Sequence, residues 1–157
     1  PRDKAALLNH PRGQEMFAIA RERLEQLARH LPEFEGAARR PDKFVRQFGI
    51  FPRDLQEFPL DPDYFLSRKW QFFDHPATRT VADLERARRK AGFGSKTSLT
   101  TMERTQVAIV YHSGRYAPER RLEQGFRDSS GRYYGERIHE YIIIADTIFK
   151  ASNTTAP

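Results

Sequence analysis

The stretch Phe48-Gly49-Ile50-Phe51-Pro52-Arg53-Asp54 lies in a segment that follows neither helical nor strand spacing. Residues 44–59 hold Phe44, Phe48, Ile50, Phe51, Leu55 and Phe58, interrupted by Gly49, Pro52 and Pro59. Glycine and proline break regular structure. Large apolar side chains in such number cannot all stay in water, so the segment must wrap onto a core or line a groove.

Outward from this segment, helical patterns dominate. Met16, Phe17, Ala20, Leu24, Leu27, Ala28 and Leu31 follow the three-and-four spacing of one helix face, opened near Asn9-His10-Pro11 and stopped by Pro32. Asp61-Pro62-Asp63 is a helix cap followed by proline in the first turn, and it predicts a helix carrying Phe65, Leu66, Trp70 and Phe73 up to a break at His75-Pro76. Trp70 among these phenylalanines reads as a core residue. Residues 80–90 form an amphipathic pattern with Val81, Leu84 and Ala87 inside, ended by Gly92 and Gly94. Thr100-Thr101-Met102-Glu103 fits a capping box ahead of Val107-Ala108-Ile109-Val110-Tyr111. A last helix is predicted from about Tyr134 to Lys150. Its run Ile142-Ile143-Ile144 is apolar on nearly all sides, which predicts a central position. The run is also β-branched, but Ile138, Tyr141, Ala145 and Ile148 at helical spacing favour helix. Residues 125–135 read as a mobile flap or surface hairpin, and residues 152–157 as a loose tail.

The 157 residues suffice for one domain with a core, here expected over residues 1–151. Aromatic residues at 12% speak against disorder. The net charge of +6 favours an anionic partner: nucleic acid, lipid headgroups or bacterial cell wall. The absence of cysteine excludes a disulfide scaffold and a thiolate metal site. No apolar run is long enough to span a bilayer. His10, His30, His75, His112 and His139 show no ligand spacing, so neither a metal nor another cofactor is expected. The chain starts at Pro1, not Met, and reads as part of something longer, with a parent polypeptide upstream.

Two segments carry a resemblance. Phe48-Gly49-Ile50-Phe51-Pro52-Arg53-Asp54 is similar to the Gly-Leu-Met-Gln-x-Asp signature of goose-type lysozymes and soluble lytic transglycosylases. Val107-Ala108-Ile109-Val110-Tyr111-His112-Ser113-Gly114 is similar to their helix-ending Ala-x-x-Tyr-Asn-x-Gly, and Tyr133-Tyr134-Gly135 leads into a terminal helix as theirs does. The resemblance implies an all-α, lysozyme-like helical domain, with room for a small hairpin or irregular loop. It implies action on peptidoglycan glycan strands between N-acetylmuramic acid and N-acetylglucosamine, in the periplasm or outside the cell. A muramidase, a lytic transglycosylase and a binding-only domain all fit it. Two positions depart: Pro52 stands where these families carry glutamine, and His112 where they carry asparagine.

Cleavage of a glycan needs a carboxylic acid whose pKa is raised in a partly apolar cleft. Glu22, in Ile19-Ala20-Arg21-Glu22, is similar to the Ile-x-Arg-Glu of goose-type enzymes. Glu22, Glu25 and Glu33 stand 27, 24 and 16 residues before Gly49. Glutamates flanked by arginines are also ordinary ion-pair partners. Asp54 is the candidate second carboxylate, or the cap of the turn beginning at Leu55. By the same resemblance Phe51, Tyr111, His112 and Tyr134 are candidate sugar contacts. A rival reading is nucleic-acid binding through Arg86, Arg88, Arg89 and Lys90, with Arg115, Arg120 and Arg121 near another helix. A third is a structural domain of a phage or secretion assembly.

Overall fold

A computed structural model describes residues 3–154, with side chains to residue 151. The protein is mostly helical, about 60% helix and 4% strand. Its backbone contacts divide it into two compact units, Pro1–Thr80 and Val81–Pro157, with the helix Asp74–Lys90 carrying the division.

In the first unit, α1 (Lys4–Leu8) is capped by Asp3, whose carboxylate accepts from the Ala6 amide at 2.8 Å. Helix α2 (Gly13–Ala28) buries Met16, Phe17, Ala20 and Leu24 of the face that the spacing predicts, and Ile19 besides, but it ends before Leu31, which is exposed. A helical turn at Pro32–Phe34 and α3 (Glu35–Ala38) follow. The aperiodic segment becomes a minimal antiparallel hairpin, β1 (Gln47–Phe48) with β2 (Arg53–Asp54), paired Gln47 to Asp54 and Phe48 to Arg53. Phe48, Leu55 and Phe58 from this segment are buried, while Ile50 stands 67% exposed. The core is aromatic: Phe48 meets Phe65 and Trp70 edge-on at 5.9 and 5.0 Å, and Phe65 meets Tyr64 at 5.1 Å. Such pairs contribute about 0.5–1.5 kcal/mol each beyond area burial.

The helix expected from Asp61 through Phe73 is divided. Asp61 caps α4 (Pro62–Leu66) by accepting from the Tyr64 amide, but Arg68 takes a left-handed conformation (φ 52°) and the chain turns. A separate turn, Lys69–Gln71, presents Trp70 to the core, and Phe73 stays exposed. Pro76 is not a break. It lies in the first turn of α5 (Asp74–Lys90), where its missing N–H has no helical partner to lose.

In the second unit Leu84 and Ala87 of α5 pack with Val107 and Val110 of α6 (Thr101–Ser113), whereas Val81, expected inside, is exposed. The capping box forms: the Glu103 amide donates to the Thr100 hydroxyl, and the Thr100 amide to the Glu103 carboxylate. The loop 115–133 is tied by the buried side chain of Gln124, which accepts from the Ala117 amide at 2.8 Å. Arg127 and Tyr133 make an isolated antiparallel bridge, and the last two residues of the expected flap or hairpin, Tyr134 and Gly135, belong instead to the final helix.

Helix α7 (Tyr134–Thr154) is not central. It meets α6 through Gly135, His139 and Asp146. A side chain at Gly135 would lie 3.0 Å from Ile109 Cδ1 and 2.4 Å from the Leu122 carbonyl oxygen. His139 Nδ1 and the Thr105 hydroxyl are 2.9 Å apart, and Arg104 donates to Asp146 at 2.7 Å. These contacts recur at helical spacing and claim the packed face. Ile142 is half-buried on this side, but the rest of the apolar face is turned outward, leaving Ile144 53%, Ile148 60% and Phe149 71% exposed. The helix also takes in residues 152–154, expected in the tail, while residues 155–157 lie outside those described.

Two substitutions separate these roles. Ile148→Gln on α7 is expected to change stability by less than about 0.5 kcal/mol, as for a surface site. Ile109→Ala on α6, fully buried, is expected to cost about 2–5 kcal/mol. Urea denaturation midpoints check both; a large loss from Ile148→Gln would show that the isoleucine face is covered.

Candidate functional site

The hairpin tip depends on Gly49. Its φ of +88° is a conformation that side chains disfavour, and a Cβ there would stand 3.2 Å from the Trp70 carbonyl oxygen and 3.5 Å from the Tyr64 hydroxyl oxygen. The chain thus doubles back directly against the Trp70 turn. Trp70 is locked in turn by its indole N–H, which donates to the Phe65 carbonyl at 3.1 Å.

Between this hairpin, α2 and the Trp70 turn lies an open groove of about 480 Å³. Arg23 and Leu27 come from α2, Gln47, Gly49 and Ile50 from the hairpin, and Trp70 with Gln71 from the turn. The Arg23 guanidinium sits 5.3 Å over the Trp70 ring. The groove offers two side-chain amides, one cation, an indole edge and an exposed aliphatic residue. None of its lining residues is acidic.

The candidate acids lie elsewhere in the same unit. Glu22 accepts from Arg68 at 2.6 Å and from Gln26 at 2.9 Å. The Arg68 hydrogen bond holds its carboxyl below the usual glutamate range, the opposite of what a proton donor at neutral pH requires. Glu25 is paired with Arg21 at 2.8 Å. Glu33 lies exposed on the Pro32–Phe34 turn. Asp54 faces Arg46 through both carboxylate oxygens at 3.1 and 3.2 Å and accepts from the Gln56 amide at 2.8 Å, so it caps the turn at Leu55. It borders a second concavity of about 590 Å³ with Leu24, Phe34, Phe44 and Arg46. Phe51 is half-buried and packs on Phe73 with ring centres 6.0 Å apart.

The other three candidate contacts gather in the second unit. His112 stacks on Tyr134 at 4.1 Å, with Phe126 5.8 Å from the His112 ring. Burial pushes the Tyr134 hydroxyl above its ordinary pKa, with Tyr111 adding to the shift. Beside this stack a concavity of about 300 Å³ is lined by Phe126, Asp128, Tyr134, Arg137 and Tyr141. Asp128 organises its loop, accepting from Ser130, Arg132 and Arg137, and these contacts hold its carboxyl far below the usual range.

No family of known proteins, no curated protein and no solved structure matches this chain. The site is therefore read from its own residues. Among the described residues no group of His, Asp and Glu side chains could hold a metal ion, and no helix is long and apolar enough to cross a membrane.

Arg23, Gln47 and Gln71 were not singled out by pattern. The one available signal was Arg23, which stands at the border of the apolar face made by Ala20, Leu24 and Leu27. Trp70 belongs to the core, as its neighbours suggest, yet it also lines the groove.

Gly49→Ala is expected to cost about 1–2 kcal/mol, the penalty for a side chain in a left-handed conformation. The tight approach to Trp70 adds to it. Denaturant midpoint measures the loss, and an unchanged midpoint would mean that the hairpin does not need its glycine.

Proposed function

We propose that this chain is a lysozyme-like domain that binds peptidoglycan glycan strands in the groove beside Gly49, and that its own described carboxylates do not cleave them. One observation carries the reading: a groove bounded by Trp70, Gln47, Gln71 and Arg23 with no acidic side chain along it. Amide side chains and an apolar wall are what N-acetylated sugars call for, since acetamido groups both donate and accept hydrogen bonds and sugar rings present apolar faces. Cleavage between N-acetylmuramic acid and N-acetylglucosamine would need a carboxylic acid kept protonated at the scissile oxygen. Glu22, Glu25 and Asp54 are instead paired with Arg68, Arg21 and Arg46, and the Arg68 hydrogen bond holds the Glu22 carboxyl below its usual range. The motif resemblance and the positive charge suit a polyanionic wall, which puts the protein's work in the periplasm or outside the cell.

Nucleic-acid binding fits less well. In the basic stretch of α5, Arg86 is paired with Asp83 and Arg88 with Glu85, so half of that cationic stripe is neutralised internally.

Purified chain incubated with isolated sacculi tests the reading. The expected result is co-sedimentation without release of muropeptides, with pelleting unchanged in Glu25→Gln and Glu33→Gln and with Glu22→Gln likewise releasing nothing. Muropeptide release that one of these substitutions abolishes would make the chain an enzyme, and failure to pellet with sacculi would end the wall reading.

A further inference from the structure

Arginines of the first unit are as a rule occupied by carboxylates: Arg12 by Glu15, Arg21 by Glu25, Arg46 by Asp54, Arg68 by Glu22 and Arg79 by Asp61. Arg23, the arginine that lines the groove, touches no carboxylate directly among the described residues; the nearby charge of Glu22 reaches it only through space. Its Nη1 donates to the neutral amide oxygen of Gln26 at 2.6 Å, and its guanidinium carbon lies 5.3 Å over the Trp70 ring. Gln26 in turn donates to Glu22, which Arg68 holds. The chain Arg68, Glu22, Gln26, Arg23 therefore fixes the guanidinium in place while leaving most of its five N–H donors unspent. A guanidinium held on an indole face is preorganised for a planar anion, because a carboxylate accepts two parallel N–H donors. The groove around it supplies no anion of its own.

We propose that Arg23 is the anion contact of this groove, so that the ligand seated there is an amino-sugar glycan bearing a free carboxylate. The lactyl carboxylate of N-acetylmuramic acid, in strands stripped of peptide, has that chemistry. The proposal rests on the groove being the glycan seat and adds what that glycan must carry.

Calorimetric titration of the whole chain separates the two ideas. One probe is a peptide-free tetrasaccharide of alternating N-acetylglucosamine and N-acetylmuramic acid. The other is the neutral N-acetylglucosamine tetrasaccharide, and inorganic phosphate serves as an anion without sugar. The wild type is expected to bind the acidic tetrasaccharide about tenfold more tightly than the neutral one, the scale of one charge-assisted hydrogen-bond pair. Arg23→Gln is expected to lose that preference, its affinities for the two sugars becoming equal, and Arg23→Lys to keep only part of it. Thermal melts matched to wild type certify that both variants are folded. Equal wild-type affinity for the two sugars, or a preference that survives in Arg23→Gln, overturns the proposal and leaves the glycan seat standing. Binding of neither sugar removes the seat and the proposal together, and tighter binding of phosphate than of the acidic sugar reassigns the groove to a phosphate ligand.

Discussion

Gly49 holds a conformation that an L side chain resists, and the first unit is organised around what that permits. With no Cβ in the way, the hairpin tip comes within van der Waals distance of the Trp70 backbone and the Tyr64 hydroxyl. Phe48, one residue earlier, is then delivered edge-on to Phe65 and Trp70, and Ile50, one residue later, is left at the surface. One positive φ thus decides which of two neighbouring apolar residues joins the core and which borders the groove. The indole N–H of Trp70, spent on the Phe65 carbonyl, keeps the opposite wall from swinging away.

A second constraint is electrostatic. The protein carries 27 Lys and Arg against 21 Asp and Glu, and three of the candidate acids meet arginines: Glu22 with Arg68, Glu25 with Arg21 and Asp54 with Arg46. Pairing with arginine favours the ionised form and works against any carboxyl serving as a proton donor near neutral pH. Glu22 shows the effect most clearly, with Arg68 on one side and Gln26 on the other. The same surplus of cations leaves an arginine to spare, and it stands over the one tryptophan. A binding groove follows from this arithmetic more readily than a catalytic cleft.

Much of the fold was legible in the sequence. The face of α2, the capping box of α6 and the Asp61-Pro62 start of α4 are local signals, each settled by neighbours within four residues. The hairpin at residues 47–54 was readable only as an aperiodic apolar segment, because two-residue strands are too short to show alternation. Helix α7 lies away from the central place its composition predicts, because hydrophobic count alone does not fix burial. Its packed face is chosen by His139 and Asp146 meeting Thr105 and Arg104, partners some 34 to 42 residues away in sequence. The site was legible in part. Gly49 marked the groove, but the carboxylates chosen by spacing carry partners that only the three-dimensional arrangement reveals. Arg23, Gln47 and Gln71 belong to three different elements, and no local pattern joins them.

The most direct measurement is amide chemical-shift mapping of the whole chain titrated with a peptidoglycan-derived tetrasaccharide. The largest shifts should fall on Gln47, Gly49, Ile50 and Gln71, saturating together. Shifts confined to His112, Phe126 and Tyr134 in the second unit, or no shifts at all, would contradict the assignment of the groove.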